Sequence, residues 1–276
     1  MSSSDISPCP GLDATLRQLL SGAQSVLGEH FVGLYLYGSL ASGDFNPDSS
    51  DIDFVVVTDG ELPEETIRAL QALHARLAAS GLEWAARLEG SYIPQIALRR
   101  YDPAAAPCPQ INEGRFFVAG HGSDWVIQRH ILREWGVVLA GPPPRTLIDP
   151  VSPDDLRQAV LAIFHQWWQP MLADPVWLER DDYRAFAVLS MCRILYTLQT
   201  GAIASKPVSA SRARQALGQP YAGLIDQALA WKHDDPFGRL DETLGLMRLT
   251  QERCRQFEGS GTPVPDNPGQ RGTPQP

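Results

Sequence analysis

The chain has 276 residues, of which 43% are hydrophobic, and it carries a formal net charge of −9. This length and composition are typical of a globular protein with a sizeable core in one large or two ordinary domains. The excess of acid argues against a broad nucleic-acid-binding surface, because phosphate contacts need clustered Lys and Arg. No apolar stretch approaches the ~20 residues of a membrane span, so no membrane association is expected.

The first predicted helix follows a short leading segment. Residues 1–10 are expected to form a flexible lead, and they lack the basic and apolar regions of a signal peptide. Leucines then recur at helical spacing from Leu12 to Leu27 and predict an amphipathic helix. The four cysteines of the chain are scattered, which favours reduced thiols and a cytoplasmic location.

Two short apolar runs, 34–37 and 52–57, predict buried strands that flank a polar loop. Asp51 and Asp53 stand at the entrance of the second strand. Side chains at positions i and i+2 of a strand share a face and lie roughly 6.5–7 Å apart along the chain. Two carboxylates so placed repel each other unless a cation lies between them, and oxygen ligands of this kind suit Mg²⁺.

The acid pair also has simpler explanations. An Asp-x-Asp pattern at a strand entrance is often turn chemistry alone. A calcium loop fits Asp44, Asn46 and Asp48 but fails afterwards, because its glycine position is Ser49 and its glutamate position is Val55. The metal site is favoured by the Gly-Ser turn after the first strand, which can offer backbone N–H groups and a hydroxyl to phosphate oxygens.

Further elements follow in alternation. A helix is predicted from Pro63 to just before Gly81, and a strand over 82–93 that contains Glu89. The Pro- and Gly-rich segment 94–122 shows no periodicity and predicts a functional loop or an inter-domain crossing. A helix over 125–135 and a short strand over 136–141 complete the first domain. His74 is interpreted as a surface or packing histidine, and His130 as structural rather than catalytic.

Strand signals nearly disappear after residue 145, which predicts a helical bundle. A good helix start lies at Ser152, where a capping residue precedes acids in the first turn. Further helices are predicted over 182–200, 209–217, 221–231 and 240–257. The predicted domains are therefore a first domain at 11–144, a helical domain at 145–258 and a disordered tail at 259–276.

Several motifs carry a resemblance to a known family. Tyr37-Gly38-Ser39, a spacer of eleven residues and then Asp51-Ile52-Asp53 resemble the nucleotidyltransferase superfamily that includes DNA polymerase β. The segments at 88–94, 123–125 and 192–206 look closest to the streptomycin/spectinomycin type of aminoglycoside adenylyltransferase. The resemblance implies an α+β fold, in which a mixed β-sheet flanked by helices precedes an all-α helical-bundle domain.

The resemblance also implies a reaction, the transfer of AMP from ATP to a hydroxyl of a small polar acceptor with the help of Mg²⁺. Asp51 and Asp53 would hold the metal and take part in catalysis, and Glu89 would act as base. The nucleotide would be bound by residues from both domains: Gly38, Ser39, Ser50, Arg193 and Lys206.

For the acceptor, the resemblance implies a cationic aminoglycoside. The candidate contacts are two acids at the head of a helix and three tryptophans: Asp181, Asp182, Trp125, Trp167 and Trp168. The acid and the histidine that related enzymes place on this helix fall on Tyr183 and Phe186 here, so spectinomycin is expected more than streptomycin.

A second class of function remains open from the sequence. The chain could be a nucleotidyltransferase-fold protein that acts on a macromolecule, or a regulatory, antitoxin-like binding module. The presence of a complete set of reactive residues favours an enzyme, and a dedicated helical domain favours a small-molecule partner. No nucleic-acid partner is expected, and the sequence is compatible with a monomer.

Overall fold

The computed structural model describes residues 11–47, 50–232 and 235–259. The chain separates into two compact units, Met1–Val151 and Ser152–Pro276. The predicted lead and, apart from Gly259, the predicted tail lie outside the described residues. Among the helices described, none is both long and apolar enough to span a membrane.

The first unit is built on one mixed sheet, as predicted. The strand order is β5-β4-β3-β2-β1-β6, with β2 and β3 parallel and every other neighbouring pair antiparallel. The strands are β1 (Phe31–Leu36), β2 (Ile52–Thr58), β3 (Leu88–Pro94), β4 (Cys108–Asn112), β5 (Arg115–Ala119) and β6 (Val137–Ala140).

Helices cover both faces of this sheet because its central strands are apolar on both sides. Phe54 and Val56 of β2 join a core with the first and third helices, whereas Val55 and Val57 join a second core with Trp125. The helices of the unit are α1 (Leu12–Leu27), α2 (Gly38–Ser42), α3 (Glu64–Ala78), α4 (Gln95–Arg99), α5 (Asp124–Trp135) and α6 (Pro144–Leu147).

The segment 94–122 was predicted to be a functional loop or an inter-domain crossing without periodicity, and the structure shows regular elements there instead. It contains α4 and a hairpin of β4 and β5 at the edge of the sheet. Each of these strands has only five residues, and β5 is exposed or half-exposed throughout. Such strands need no clean alternation of apolar and polar residues, so their periodicity is too weak to detect.

Two boundaries also differ from prediction. The strand predicted over 82–93 begins only at Leu88, because Trp84 packs against Phe45 and a short 3₁₀ turn follows it. The first unit continues beyond the triple proline, since Leu147 and Ile148 are only 3% and 2% exposed in its core. The division between the units therefore falls after Val151.

The second unit is helical, as predicted, and is organised around one central helix of 20 residues. It contains α7 (Pro153–Ile163), α8 (Pro170–Ala173), α9 (Asp181–Thr200), α10 (Lys206–Leu217), α11 (Ala222–Ala230) and α12 (Leu240–Gly259). Helices α7, α10, α11 and α12 all pack against α9. Ser152 caps α7 in a capping box with Asp155, which confirms the predicted start. Helix α10 begins at Lys206, before the predicted 209, so that this lysine is its first residue.

Candidate active site

The register of the sheet aligns the predicted catalytic acids. Asp53 of β2 lies directly opposite Glu89 of β3 in a parallel pair, and the N–H of Tyr37 donates to the carbonyl oxygen of Asp53 at 3.1 Å. Directly opposed residues point to the same face of a sheet and have neighbouring Cβ atoms. Asp53 and Glu89 therefore present their carboxylates side by side, with Asp51 two residues earlier on the same strand entrance.

Gly38 fits against one of these carboxylates so closely that no side chain is possible. Its φ of +63° is in the left-handed region, and a Cβ built on it would lie 1.8 Å from Oδ2 of Asp53. Glycine is needed here for both reasons. The turn that was predicted to approach phosphate therefore lies against Asp53, and it continues into the single-turn helix α2 that carries Ser39.

The loop before the acid pair is held by its own hydrogen bonds. The N–H of Asn46 donates to the Ser50 hydroxyl at 3.0 Å, and the N–H of Ser50 donates back to the carbonyl of Asn46 at 2.8 Å. Ser50 was predicted to bind phosphate. In the structure its hydroxyl accepts a hydrogen bond from the backbone of Asn46.

The acids of this row lie close enough to affect one another electrostatically. Burial, and then the negative charges of Asp51, Asp53 and Glu113, raise the pKa of Glu89 to about 8. Burial and the charges of Asp53, Asp124 and Glu89 likewise raise the pKa of Tyr37. Cations bound beside Glu89 would lower its pKa and release its proton near neutral pH. A carboxylate with a pKa in this range suits the role of a general base.

The acid pair suits a divalent metal that arrives with its substrate. Among the described residues, no three His, Cys, Asp or Glu side chains are grouped so that they could hold a metal ion by themselves. Mg²⁺ is commonly bound by one or two carboxylates, with substrate phosphates and water as the other ligands. Asp51 and Asp53 match that pattern. The crowded negative charge around Glu89 favours the binding of a cation there.

The sequence did not indicate the packed layer beside this site. The ring of His121 stacks on Trp125 with centroids 3.7 Å apart, and its Nε2 lies 2.9 Å from the hydroxyl of the buried Ser91. Burial and the charge of Arg129 lower the pKa of His121 to about 3, so it is neutral. Trp125, a predicted acceptor contact, is only 7% exposed and serves as packing for Tyr37.

The second unit contains the predicted cationic residues and the remaining acceptor candidates. Arg193 lies half-buried on α9, and Lys206 is exposed at the start of α10. The carboxylate of Asp181 accepts from Arg184 and from the backbone N–H groups of Phe237 and Gly238, the latter two at 2.9 Å and 3.1 Å. Asp181 therefore anchors the segment before α12.

The head of α9 carries an aromatic cluster, which we define as Trp167, Trp168, Trp177, Tyr183 and Phe186. Tyr183 and Phe186 pack against each other with ring centroids 5.8 Å apart, and Trp168 lies beneath them at 2% exposure. Trp167 is half-exposed. Asp182 pairs with Arg180 at 2.5 Å. Tyr183 and Phe186, the two positions that differ from the resembling enzymes, therefore form an uncharged aromatic surface.

Strand register, glycine turn and clustered acids together define the first unit as a nucleotidyltransferase. Residues 22–100 match the family model described as "Nucleotidyltransferase domain", and residues 146–244 match "Aminoglycoside adenylyltransferase, C-terminal domain". A crystal structure of spectinomycin adenyltransferase from Enterococcus faecialis with ATP and spectinomycin has the same fold. Its TM-score is 0.69 over 88% of this chain and 98% of that one, at 16% identity.

Curated relatives identify the family more narrowly. An aminoglycoside (3'') (9) adenylyltransferase from Klebsiella pneumoniae is 30% identical over 229 residues, which cover 78% of this chain and 84% of the relative. A spectinomycin 9-adenylyltransferase from Staphylococcus aureus is 24% identical over 221 residues, covering 76% and 81%. The chain belongs to the aminoglycoside adenylyltransferase family and is an adenylyltransferase enzyme.

Proposed function

We propose that this enzyme transfers AMP from Mg-ATP to a hydroxyl of an aminoglycoside, with spectinomycin as the foremost candidate, and so confers resistance to it. The observation that carries the proposal is the row of acids formed by Asp51, Asp53 and Glu89 beside Gly38. The crowded negative charge of these acids favours a bound cation, and a glycine turn can offer backbone N–H groups to phosphate oxygens. The names of the curated relatives support the acceptor class.

In the proposed reaction, Asp51 and Asp53 hold the metal, and the backbone of Gly38 with the hydroxyl of Ser39 binds phosphate oxygens. When bound, Mg²⁺ would neutralise the charge of the triphosphate and of the departing pyrophosphate. In the helical unit, Arg193 and Lys206 are proposed to add positive charge for the nucleotide.

Glu89 is the proposed general base. Its carboxylate would take the proton of the acceptor hydroxyl while that oxygen forms a bond to the α-phosphorus of ATP. The bond between the α-phosphorus and the bridging oxygen then breaks, and pyrophosphate leaves in line with the attack. Only the carboxylate form of Glu89 can do this, so the positive charges that bind beside it also prepare it for the reaction.

For the acceptor, the structure supports a shorter set of residues than the sequence suggested. Trp125 and Trp168 are buried and Asp181 is occupied by backbone N–H groups, so we retain Asp182 and Trp167 as candidate contacts. An aromatic surface attracts protonated amines through cation–π interactions, worth about 0.5–2 kcal/mol each. The uncharged Tyr183 and Phe186 favour an acceptor with few positive charges, which is the reason for placing spectinomycin before streptomycin.

The test is incubation of the purified protein with Mg-ATP and a panel of aminoglycosides, followed by mass spectrometry. We expect one AMP adduct on spectinomycin with the wild type and none with Asp53→Asn. A parallel incubation of labelled ATP with cell extract checks for a modified macromolecule. Adducts on extract protein or nucleic acid, with no modified drug in the panel, would contradict the proposed acceptor class.

A further inference from the structure

The hairpin at the edge of the sheet brings a further carboxylate to the active site. Asn112 of β4 pairs with Arg115 of β5, so the turn between them consists of two residues, Glu113 and Gly114. Both have positive φ, +47° and +73°, as a type I′ turn requires. The first position of such a turn favours Asn, Asp or Gly, so a glutamate there is poorly suited to the backbone and calls for another explanation.

The register of the sheet places this turn beside the catalytic row. Antiparallel pairing matches Gly90 of β3 with Ile111 of β4, so the end of β4 runs alongside Glu89. The charge of Glu113 is close enough to contribute to the raised pKa of Glu89. Glu113 itself is exposed, and within the described part of the chain its carboxylate takes part in no hydrogen bond or ion pair.

The ligands of the reaction decide what this carboxylate can bind. A triphosphate would be repelled by it, and the metal is assigned to Asp51 and Asp53. The remaining reactant is the acceptor, whose hydroxyl must reach Glu89 and whose amino groups are protonated near neutral pH. A carboxylate next to the base is therefore suited to hold one of those ammonium groups through a charge-assisted hydrogen bond.

We propose that Glu113 is a specificity-determining residue that binds an ammonium group of the acceptor and so presents the neighbouring hydroxyl to Glu89. This rests on the proposed function. The hairpin accepts an unfavourable turn residue because the carboxylate at this point selects cationic acceptors over neutral ones of similar size.

The test compares steady-state kinetics of the wild type with Glu113→Gln, using the panel member that the wild type modifies. The expected result is a KM for the acceptor raised about 10- to 100-fold, the range of a lost charge-assisted hydrogen bond, with the KM for ATP unchanged. Glu113→Asp, which keeps the charge, should recover part of the affinity. Glu65→Gln, on the exposed face of α3, changes the net charge equally and should leave both KM values unchanged.

A second variant separates function from folding. Glu113→Asn places a preferred residue in the turn, so it should raise the melting temperature while it raises the acceptor KM as Glu113→Gln does. If the wild type modifies an acceptor and both variants keep its KM, the inference is wrong and the proposed function stands. If the wild type modifies no aminoglycoside, the proposed function and the inference fall together.

Discussion

At the scale of single residues, Glu89 combines a proposed catalytic role with a cost to folding. Its pKa in the folded protein, about 8, is above the ordinary value of 4.5, so the folded state binds this proton more tightly than the unfolded state does. The stability that this proton contributes is fully present below about pH 4.5 and is lost as the pH rises towards 8. A glutamine at this position is neutral at every pH, so it would not lose stability in this way as the pH rises.

Glu89→Gln should therefore raise the melting temperature by a few degrees at pH 8 in metal-free buffer, and make no difference near pH 4.5. The same variant should lower kcat by about 10²–10⁴-fold, the usual contribution of a general base.

For the wild type, activity should rise with pH below about 8, and Mg-ATP should move this rise to lower pH. Melting curves and pH–rate profiles check both parts. A variant that melts like the wild type at pH 8 would show that the Glu89 carboxyl is not held in this electrostatic environment.

Gly38 allows a test with a matched control on the same segment. Gly38→Ala would place a methyl group 1.8 Å from Oδ2 of Asp53, whereas Gly43, also in the left-handed region at φ +78°, has no atom within 4 Å of the equivalent position. Both substitutions carry backbone strain of about 1 kcal/mol, but only the first displaces the carboxylate of Asp53, which is proposed to bind the metal. We expect Gly38→Ala to lose more than 100-fold in kcat/KM and Gly43→Ala to remain within about threefold of wild type, as measured by pyrophosphate release. Equal losses in both variants would remove the carboxylate contact as the explanation.

At the scale of secondary-structure elements, the tryptophans on α5 and next to α7 should behave in opposite ways. Trp125 is covered by His121 and Tyr37, so Trp125→Phe should cost about 1–3 kcal/mol of stability and hardly alter the acceptor KM. Trp167 is half-exposed, so Trp167→Phe should cost little stability and raise the acceptor KM. Denaturant unfolding and steady-state kinetics on the two variants decide between packing and binding. A raised acceptor KM in Trp125→Phe would return that residue to the acceptor site.

The elements also show what the sequence could predict. Helices α1, α5 and α9 have apolar positions at helical spacing or clear boundary residues, and all were located to within about one residue at each end. The β4–β5 hairpin escaped detection because both strands are short and lie at the sheet edge. Glu113 could not be recognised as a site residue without that hairpin, since only strand register brings it beside Glu89.

Side-chain partners distant in sequence were equally beyond prediction. Asp181 stands at a helix start, where an acid normally suggests either a cap or a ligand contact. Its actual partners include the backbone at Phe237 and Gly238, on a segment more than fifty residues further along the chain. No local sequence pattern predicts a two-residue turn in which a glutamate has positive φ. None predicts the stacking of His121 on Trp125 either.

At the scale of the whole molecule, the two units contain different groups that are proposed to take part in the reaction. The sheet unit contains the acids and the glycine turn, and the helical unit contains Arg193, Lys206 and the aromatic cluster. Each unit matches its own family model. The net charge of −9 adds a general attraction for cationic acceptors that salt should weaken.

The central claim is attack on the α-phosphorus of ATP, and ³¹P NMR of the reaction mixture tests it most directly. With Mg-ATP and spectinomycin, the account predicts a new phosphodiester signal on the drug and an equal amount of free pyrophosphate. Excess chelator, or the Asp51→Asn variant, should suppress both signals. Formation of ADP with a phosphomonoester on the drug, or full turnover in the presence of chelator, would contradict the account.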